Sequence, residues 1–189
     1  MSVARKLASA ALALSLSILA SGIQKYSPQE VAKVLKAIDR VERETATPTK
    51  RPLKKISITE SELNSYIAYL VEIKNEKFLK ELRIKLFRKN KVEGIVLIDL
   101  RAERVPEFLR PQMTLYFGGK IEANGGQVRF ILRDLFLEEQ RIDPKVLDLI
   151  IAFAAKIGNY EAWSINDWWE LPHGIKSVET ESHKAVFFY

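Results

Sequence analysis

Residues 144–159 read PKVLDLIIAFAAKIGN. Asp143 ahead of them is a helix-capping residue type, and Pro144 suits a first helical turn. Gly158 and Asn159 supply a stop. Between these signals Val146, Leu147, Leu149, Ile150, Ile151, Phe153, Ala154, Ala155 and Ile157 leave Lys145, Asp148 and Lys156 as the charges. A helix apolar around most of its circumference is normally covered on most sides. At 1.5 Å per residue it is about 22 Å long, too short to span a bilayer. Its cover must come from the segments on either side.

Upstream, the period of the apolar residues is 2. Leu82, Ile84 and Leu86 alternate with Glu81, Arg83, Lys85 and Phe87, and after the polar turn 88–91 Val92, Gly94, Val96, Ile98 and Leu100 alternate with Glu93, Ile95, Leu97 and Asp99. This is an antiparallel hairpin with one face fully apolar and the other partly so. A charged loop, 101–111, has an apolar centre at Val105 to Leu109. Met113 to Ala123 is a third long strand carrying Leu115, Phe117 and Ile121. Asn124-Gly125-Gly126 is a hairpin signal, and Val128, Phe130 and Leu132 continue on the return strand. Downstream of the helix comes an aromatic and polar stretch with Trp163, Trp168 and Trp169. A turn at 171–174 follows, then a last hairpin around Ser182-His183.

The N-terminal part reads differently. Ser27-Pro28-Gln29-Glu30 is a capping box with proline at the first helical position. Val31, Val34, Leu35, Ile38 and Val41 follow at helical spacing, giving an amphipathic helix from Pro28 to Glu44. Residues 45–55, TATPTKRPLKK, are a basic linker that would let this helix stand apart as an addition to the main body. Ile56 to Ile58 is a short strand. Thr59 to Glu62 forms a second capping box, opening a helix with Leu63, Tyr66, Ile67, Leu70 and Val71 on its apolar face.

The first 22 residues have the form of a secretory signal. Arg5 and Lys6 precede an apolar run from Leu7 to Leu19, and Ala20-Ser21-Gly22 offers small residues for cleavage. The alternative is an uncleaved inner-membrane anchor; 17 residues from Leu7 to Ile23 make about 26 Å of helix against a hydrocarbon core of about 30 Å. Leu19-Ala20-Ser21 resembles a lipoprotein signal, but Gly22 stands where the lipidated cysteine would be. The expected layout is thus a leader at 1–22, helix and linker at 23–55, and one α+β domain at 56–189 in an exported, periplasmic protein. Its fold is a curved antiparallel sheet of about five to seven strands wrapped around the apolar helix, with an N-terminal helix.

Composition narrows the function. The chain has 189 residues and no cysteine, which removes disulfides, thiolate metal sites and cysteine nucleophiles. The formal charge of +6 falls to about +4 without Arg5 and Lys6, too mild to indicate nucleic acid by itself. Lys80, Arg83, Lys85, Arg88, Lys89 and Lys91 cluster on one hairpin near Phe87, but Glu81 and Glu93 interrupt them. His173 and His183 fall at turns with no metal-ligand spacing, and neither a nucleophile elbow nor a phosphate loop is present. Gly118-Gly119 fits a bend, and Asp134 beside Arg133 fits an ion pair or bulge. No catalytic set, metal site or cofactor is called for.

Three segments carry a family resemblance: ITESELNSYI (58–67), GGKIEANGGQVRFILRDLFLEEQRIDPKVLDLII (118–151) and LPHGIKSVETESHKAVFFY (171–189). Together they resemble exported bacterial proteins of the tubular lipid-binding group, which are distantly similar to bactericidal/permeability-increasing protein. The resemblance covers Ile56 to Tyr189. It implies a curved sheet around a helix, with acyl chains held in the groove between them. On that reading Ile84, Leu86, Val96, Ile98, Leu115, Phe117, Phe130 and Leu132 line the sheet side, and Ile150, Phe153, Ala154 and Ile157 the helix side. Arg83, Lys85 and Arg88 meet anionic headgroups at the rim, and Trp163, Trp168 and Trp169 meet a bilayer interface during transient contact. The ligand is then a lipid or other hydrophobic small molecule, and no chemistry is done on it. The alternative is an envelope module with a solid core that binds a protein or an anionic polymer through its basic hairpin.

Overall fold

The computed structural model describes residues 26–46, 52–75, 77–101, 104, 110–159, 161 and 163–189. The leader, the centre of the linker and the apolar loop residues Val105 to Leu109 lie outside the described residues. The elements are α1 (Pro28–Thr45), β1 (Lys55–Thr59), α2 (Glu60–Ile73), β2 (Leu79–Leu86), β3 (Lys91–Asp99), β4 (Gln112–Asn124), β5 (Gln127–Leu137), β6 (Gln140–Arg141), α3 (Lys145–Gly158), β7 (Trp169–Glu170), β8 (Ser177–Glu181) and β9 (Lys184–Phe188).

The class is α+β, with a curved antiparallel half-barrel sheet and an N-terminal helix. The large sheet runs β2-β3-β4-β5-β6, with β7 on a different stretch of β5. Its register aligns the apolar positions into rows across the strands, because directly opposed residues share a face. Leu82, Val96, Leu115 and Leu137 make one row; Ile84, Gly94, Phe117 and Leu135 the next; Leu86, Val92, Gly119 and Leu132 a third. Gly125 and Gly126, at φ 59° and 81°, close the β4–β5 hairpin with the left-handed pair that a two-residue turn requires. Further along, β5 carries one extra residue between Leu132 and Asp134, opposite the Gly118–Gly119 step. Asp134 sits at that bulge, and its ion pair is with Arg141 on β6 rather than with the neighbouring Arg133.

One expectation about the cover is corrected. The last hairpin does not join the large sheet around α3. β8 and β9 pair with β1 instead, in a separate sheet of order β1-β9-β8. The large sheet consequently serves two cores on one face. Near Leu86 and Val92 it meets Val178 and Ala185 of the small sheet, with Leu63 of α2 packed alongside. Near Met113 and Leu115 it meets Ile150 of α3. Phe117 and Phe130 belong to both clusters and stand edge to face, 5.6 Å between centroids.

The small sheet and α2 are stitched to the edge of β2. Asn64 of α2 accepts from the Ile84 N–H and donates to the Ile84 C=O, both at 2.8 Å, so a side chain plays the part of a neighbouring strand. Glu60 accepts from the Leu86 N–H, and the His183 N–H donates to the Leu86 C=O. The free rim of β2 is thereby protected from pairing with other chains.

α1 is built into the body rather than set apart. Val31, Val34 and Val41 are buried. The Ser27 hydroxyl caps the helix by accepting from the Glu30 N–H, as the sequence indicates, but the other half of the box is diverted. The Glu30 carboxylate accepts from the Ser61 and Ser65 hydroxyls of α2, and the Ser27 N–H donates to Ser65. At its far end Glu44 binds Lys54 and accepts from the Tyr189 hydroxyl. The α2 capping box is complete, Thr59 and Glu62 serving each other reciprocally.

Candidate functional site

α3 ends as its sequence indicates, but its N-cap is Pro144, without a side-chain cap hydrogen bond. Asp143 Oδ1 accepts from the Lys145 N–H, and Asn159 stops the helix in the left-handed region at φ 54°. Its cover is incomplete, and its fully buried residues are Ile150 and Ala155. Val146, Leu147, Ile150, Phe153, Ala154 and Ile157 pack toward the large sheet. On a second side Asp148 accepts from the Ser164 hydroxyl and the Ile165 N–H, which ties the following segment to the helix. A stripe remains open: Lys145, Leu149, Ala152 and Lys156 are all exposed, and Leu149 keeps 54% of its surface. Their spacing of four, three and four places them on one face of the helix.

The tied segment leads into the tryptophans. Trp163, Trp168 and Trp169 retain 39%, 40% and 43% of their surface. Trp169 pairs with Val128 through β7, a two-residue strand too short to show in the sequence pattern. Trp163 stands edge to face against it at 5.0 Å. The Arg129 guanidinium lies 4.6 Å from the Trp168 ring and is itself paired with Glu122.

The structure divides the residues expected to line one groove. Val96, Ile98, Leu115, Leu132, Ile150, Phe153, Ala154 and Ile157 do meet, in the core under α3. Ile84 and Leu86 belong to the other core, beneath the small sheet. Phe117 and Phe130 lie at the seam. The expected rim is divided as well. Arg83, Lys85 and Arg88 are exposed on or just after β2, one edge of the large sheet, whereas the tryptophans lie at its opposite edge. Arg83 pairs with Glu81, and Lys91 with Glu93, so the acidic residues that interrupt the basic hairpin in sequence also neutralise part of it in space.

The described residues contain no group of three His, Cys, Asp or Glu side chains placed to hold a metal ion, and no helix long and apolar enough to cross a membrane. His183 Nδ1 lies 3.4 Å from Glu60 Oε2, where it adjoins the β2 edge contacts.

No protein-family model, curated protein or solved structure matches the chain. The resemblance to the tubular lipid-binding group rests on the three quoted segments alone.

Proposed function

We propose that the protein is a non-catalytic envelope protein that binds a lipid or another hydrophobic ligand along the open face of α3. The observation that carries this reading is the incomplete cover of α3. A helix this apolar normally loses most of its surface to packing, yet Leu149 and Ala152 face solvent between Lys145 and Lys156. Exposed apolar surface framed by lysines fits an anionic amphiphile: the chain meets the apolar stripe and the headgroup meets the ammonium groups. Each CH₂ removed from water contributes about 0.8 kcal/mol, so a partly enclosed acyl chain binds usefully. The exposed tryptophans supply rings of the kind that settle at a bilayer interface. The secretory character of residues 1–22 supports export to the envelope, and the resemblance to tubular lipid-binding proteins agrees in ligand class.

The test is native mass spectrometry and lipid extraction of the purified protein, together with fluorescent fatty acid titration. Bound lipid or saturable uptake is expected. Leu149→Asp should reduce uptake about tenfold or more while leaving the fold intact, because the side chain is exposed. A protein that is empty on isolation and ignores both fatty acids and phospholipid vesicles overturns the proposal.

A further inference from the structure

A second site lies between α1 and β1. The two elements leave a cleft of about 270 Å³ with walls of opposite character. Val34, Ala37, Ile56 and Ile58 make its apolar side, and Lys33, Lys36, Arg40 and Ser57 its polar side, with Glu62 beside Lys33. Two of its lining cations are ion-paired. Glu62, fixed by the Thr59 N–H at 2.9 Å, holds Lys33 at 3.4 Å, and Glu44 holds Lys54 at 2.7 Å and Arg40 at 2.8 Å. Lys33 and Arg40 are therefore compensated. Lys36, midway between them on α1, has no ion-pair partner among the described residues.

The backbone of β1 adds a donor. β1 is the edge of its sheet. Lys54 and Tyr189 exchange both backbone hydrogen bonds, and the Glu60 N–H donates to His183. In an antiparallel ladder these bonds recur at every second residue, so Ile56 and Ile58 face β9 while Ser57 turns its N–H and C=O outward. Ser57 is exposed, and no hydrogen bond among the described residues uses that N–H. One ammonium group without an ion-pair partner and one unused N–H adjoin a cleft with apolar walls. A few directed polar groups set in apolar walls are the usual composition of a small-molecule site.

We infer that this cleft binds a small amphiphilic carboxylate, a single negative charge carried on a short apolar body. One ammonium group without an ion-pair partner matches one carboxylate, and a cleft of about 270 Å³ limits the body to a few carbons. The site is distinct from the α3 surface and does not depend on the function proposed there.

Hexanoate is the probe, with hexanol as its neutral counterpart, each titrated into ¹⁵N-labelled protein. Hexanoate should shift the Ser57, Lys36 and Ala37 amides saturably. Hexanol should act at least tenfold more weakly, and Lys36→Glu should weaken hexanoate by a similar factor. Lys36→Gln, an uncharged change at an exposed position, serves if the charge reversal disturbs folding, and unchanged Val96 and Leu115 amides, in the core under α3, verify the fold. The inference is overturned if hexanoate leaves these three amides unmoved. It is overturned equally if hexanol or the Lys36 variants match the wild-type response, or if the shifts are confined to α3, an outcome that would speak for the other site alone.

Discussion

Gly118 and Gly119 are neighbours on β4, both buried, and alanine should have opposite effects at the two. A Cβ placed on Gly119 falls 2.2 Å from the Ile131 carbonyl oxygen and 2.6 Å from the tip of the Phe130 ring. Ordinary carbon contacts begin near 3.5 Å, so strand and ring must each give by about 1 Å. The ring has little freedom, since Phe130 is packed edge to face on Phe117. Overpacking of a tight core costs about 1–3 kcal/mol, and displacing the Lys120–Ile131 pairing forfeits a further hydrogen bond at about 1 kcal/mol. Gly119→Ala should therefore destabilise the fold by about 3 kcal/mol. At Gly118 the nearest atoms to a Cβ are 3.7–3.8 Å away, on Asp134 and Glu93. That is ordinary contact, and relief of glycine's entropy cost should make Gly118→Ala neutral or stabilising by about 0.5 kcal/mol. Urea unfolding measures both. With a slope of about 2 kcal/mol/M, the Gly119 midpoint should fall by about 1.5 M and the Gly118 midpoint should hold or rise. Equal effects from the two variants, or a Gly119 loss under 1 kcal/mol, would refute the packing described for the seam.

Two further outcomes follow from the hydrogen-bond pattern. Asn64→Ala removes both bonds to Ile84 and should cost about 2 kcal/mol, with faster hydrogen exchange at the Ile84 amide and a new tendency to associate through β2; an unchanged exchange rate would show that the edge is held by something else. Acidification should loosen α1 first. Lys54 and Arg40 hold the Glu44 carboxyl at about 2, and the Ser65 and Ser61 hydroxyls lower that of Glu30. A depressed carboxylate contributes stability above its unfolded value near 4.5, and that contribution is lost as pH falls toward 2. Amides of α1 should lose exchange protection in that window before those of β3 and β4, and simultaneous loss would contradict the assignment.

Much of the large sheet is legible in the sequence because its alternation survives intact. Leu82 to Leu86, Val92 to Leu100 and Val128 to Leu132 read as strands and lie on the faces their period assigns. The cap of α2 and the stop of α3 are equally plain, since Thr59, Glu62 and Asn159 act through local geometry. Partner choice is another matter. The pattern KAVFF identifies a strand but carries no information that β1, far back in the chain, is its neighbour, and the two-sheet division followed from that pairing. Asn64 and Glu60 look like ordinary polar residues of a helix start, and their service to the β2 edge depends on distances no spacing reveals. The candidate site was readable only as composition. Periodicity marks α3 as apolar, whereas the stripe at Leu149 and Ala152 is defined by what fails to pack there. The α1–β1 cleft left no trace in the pattern, because Lys33, Lys36 and Arg40 read as a solvated helix face.

The pairing of Lys55 with Phe188 sets an order on the birth of the molecule. Hairpins β2–β3 and β4–β5 close over short loops and can form as soon as their own residues are free. β1 has no such option. It precedes every other strand yet pairs with the last, so the loop it closes contains nearly the whole domain, and contacts of such long range form slowly. Until β9 arrives, β1 has no ladder partner, Tyr189 is not there to meet Glu44, and the small sheet's share of the second core is missing. Synthesis from the N-terminus thus leaves β1 without its ladder partner until β9 has been made.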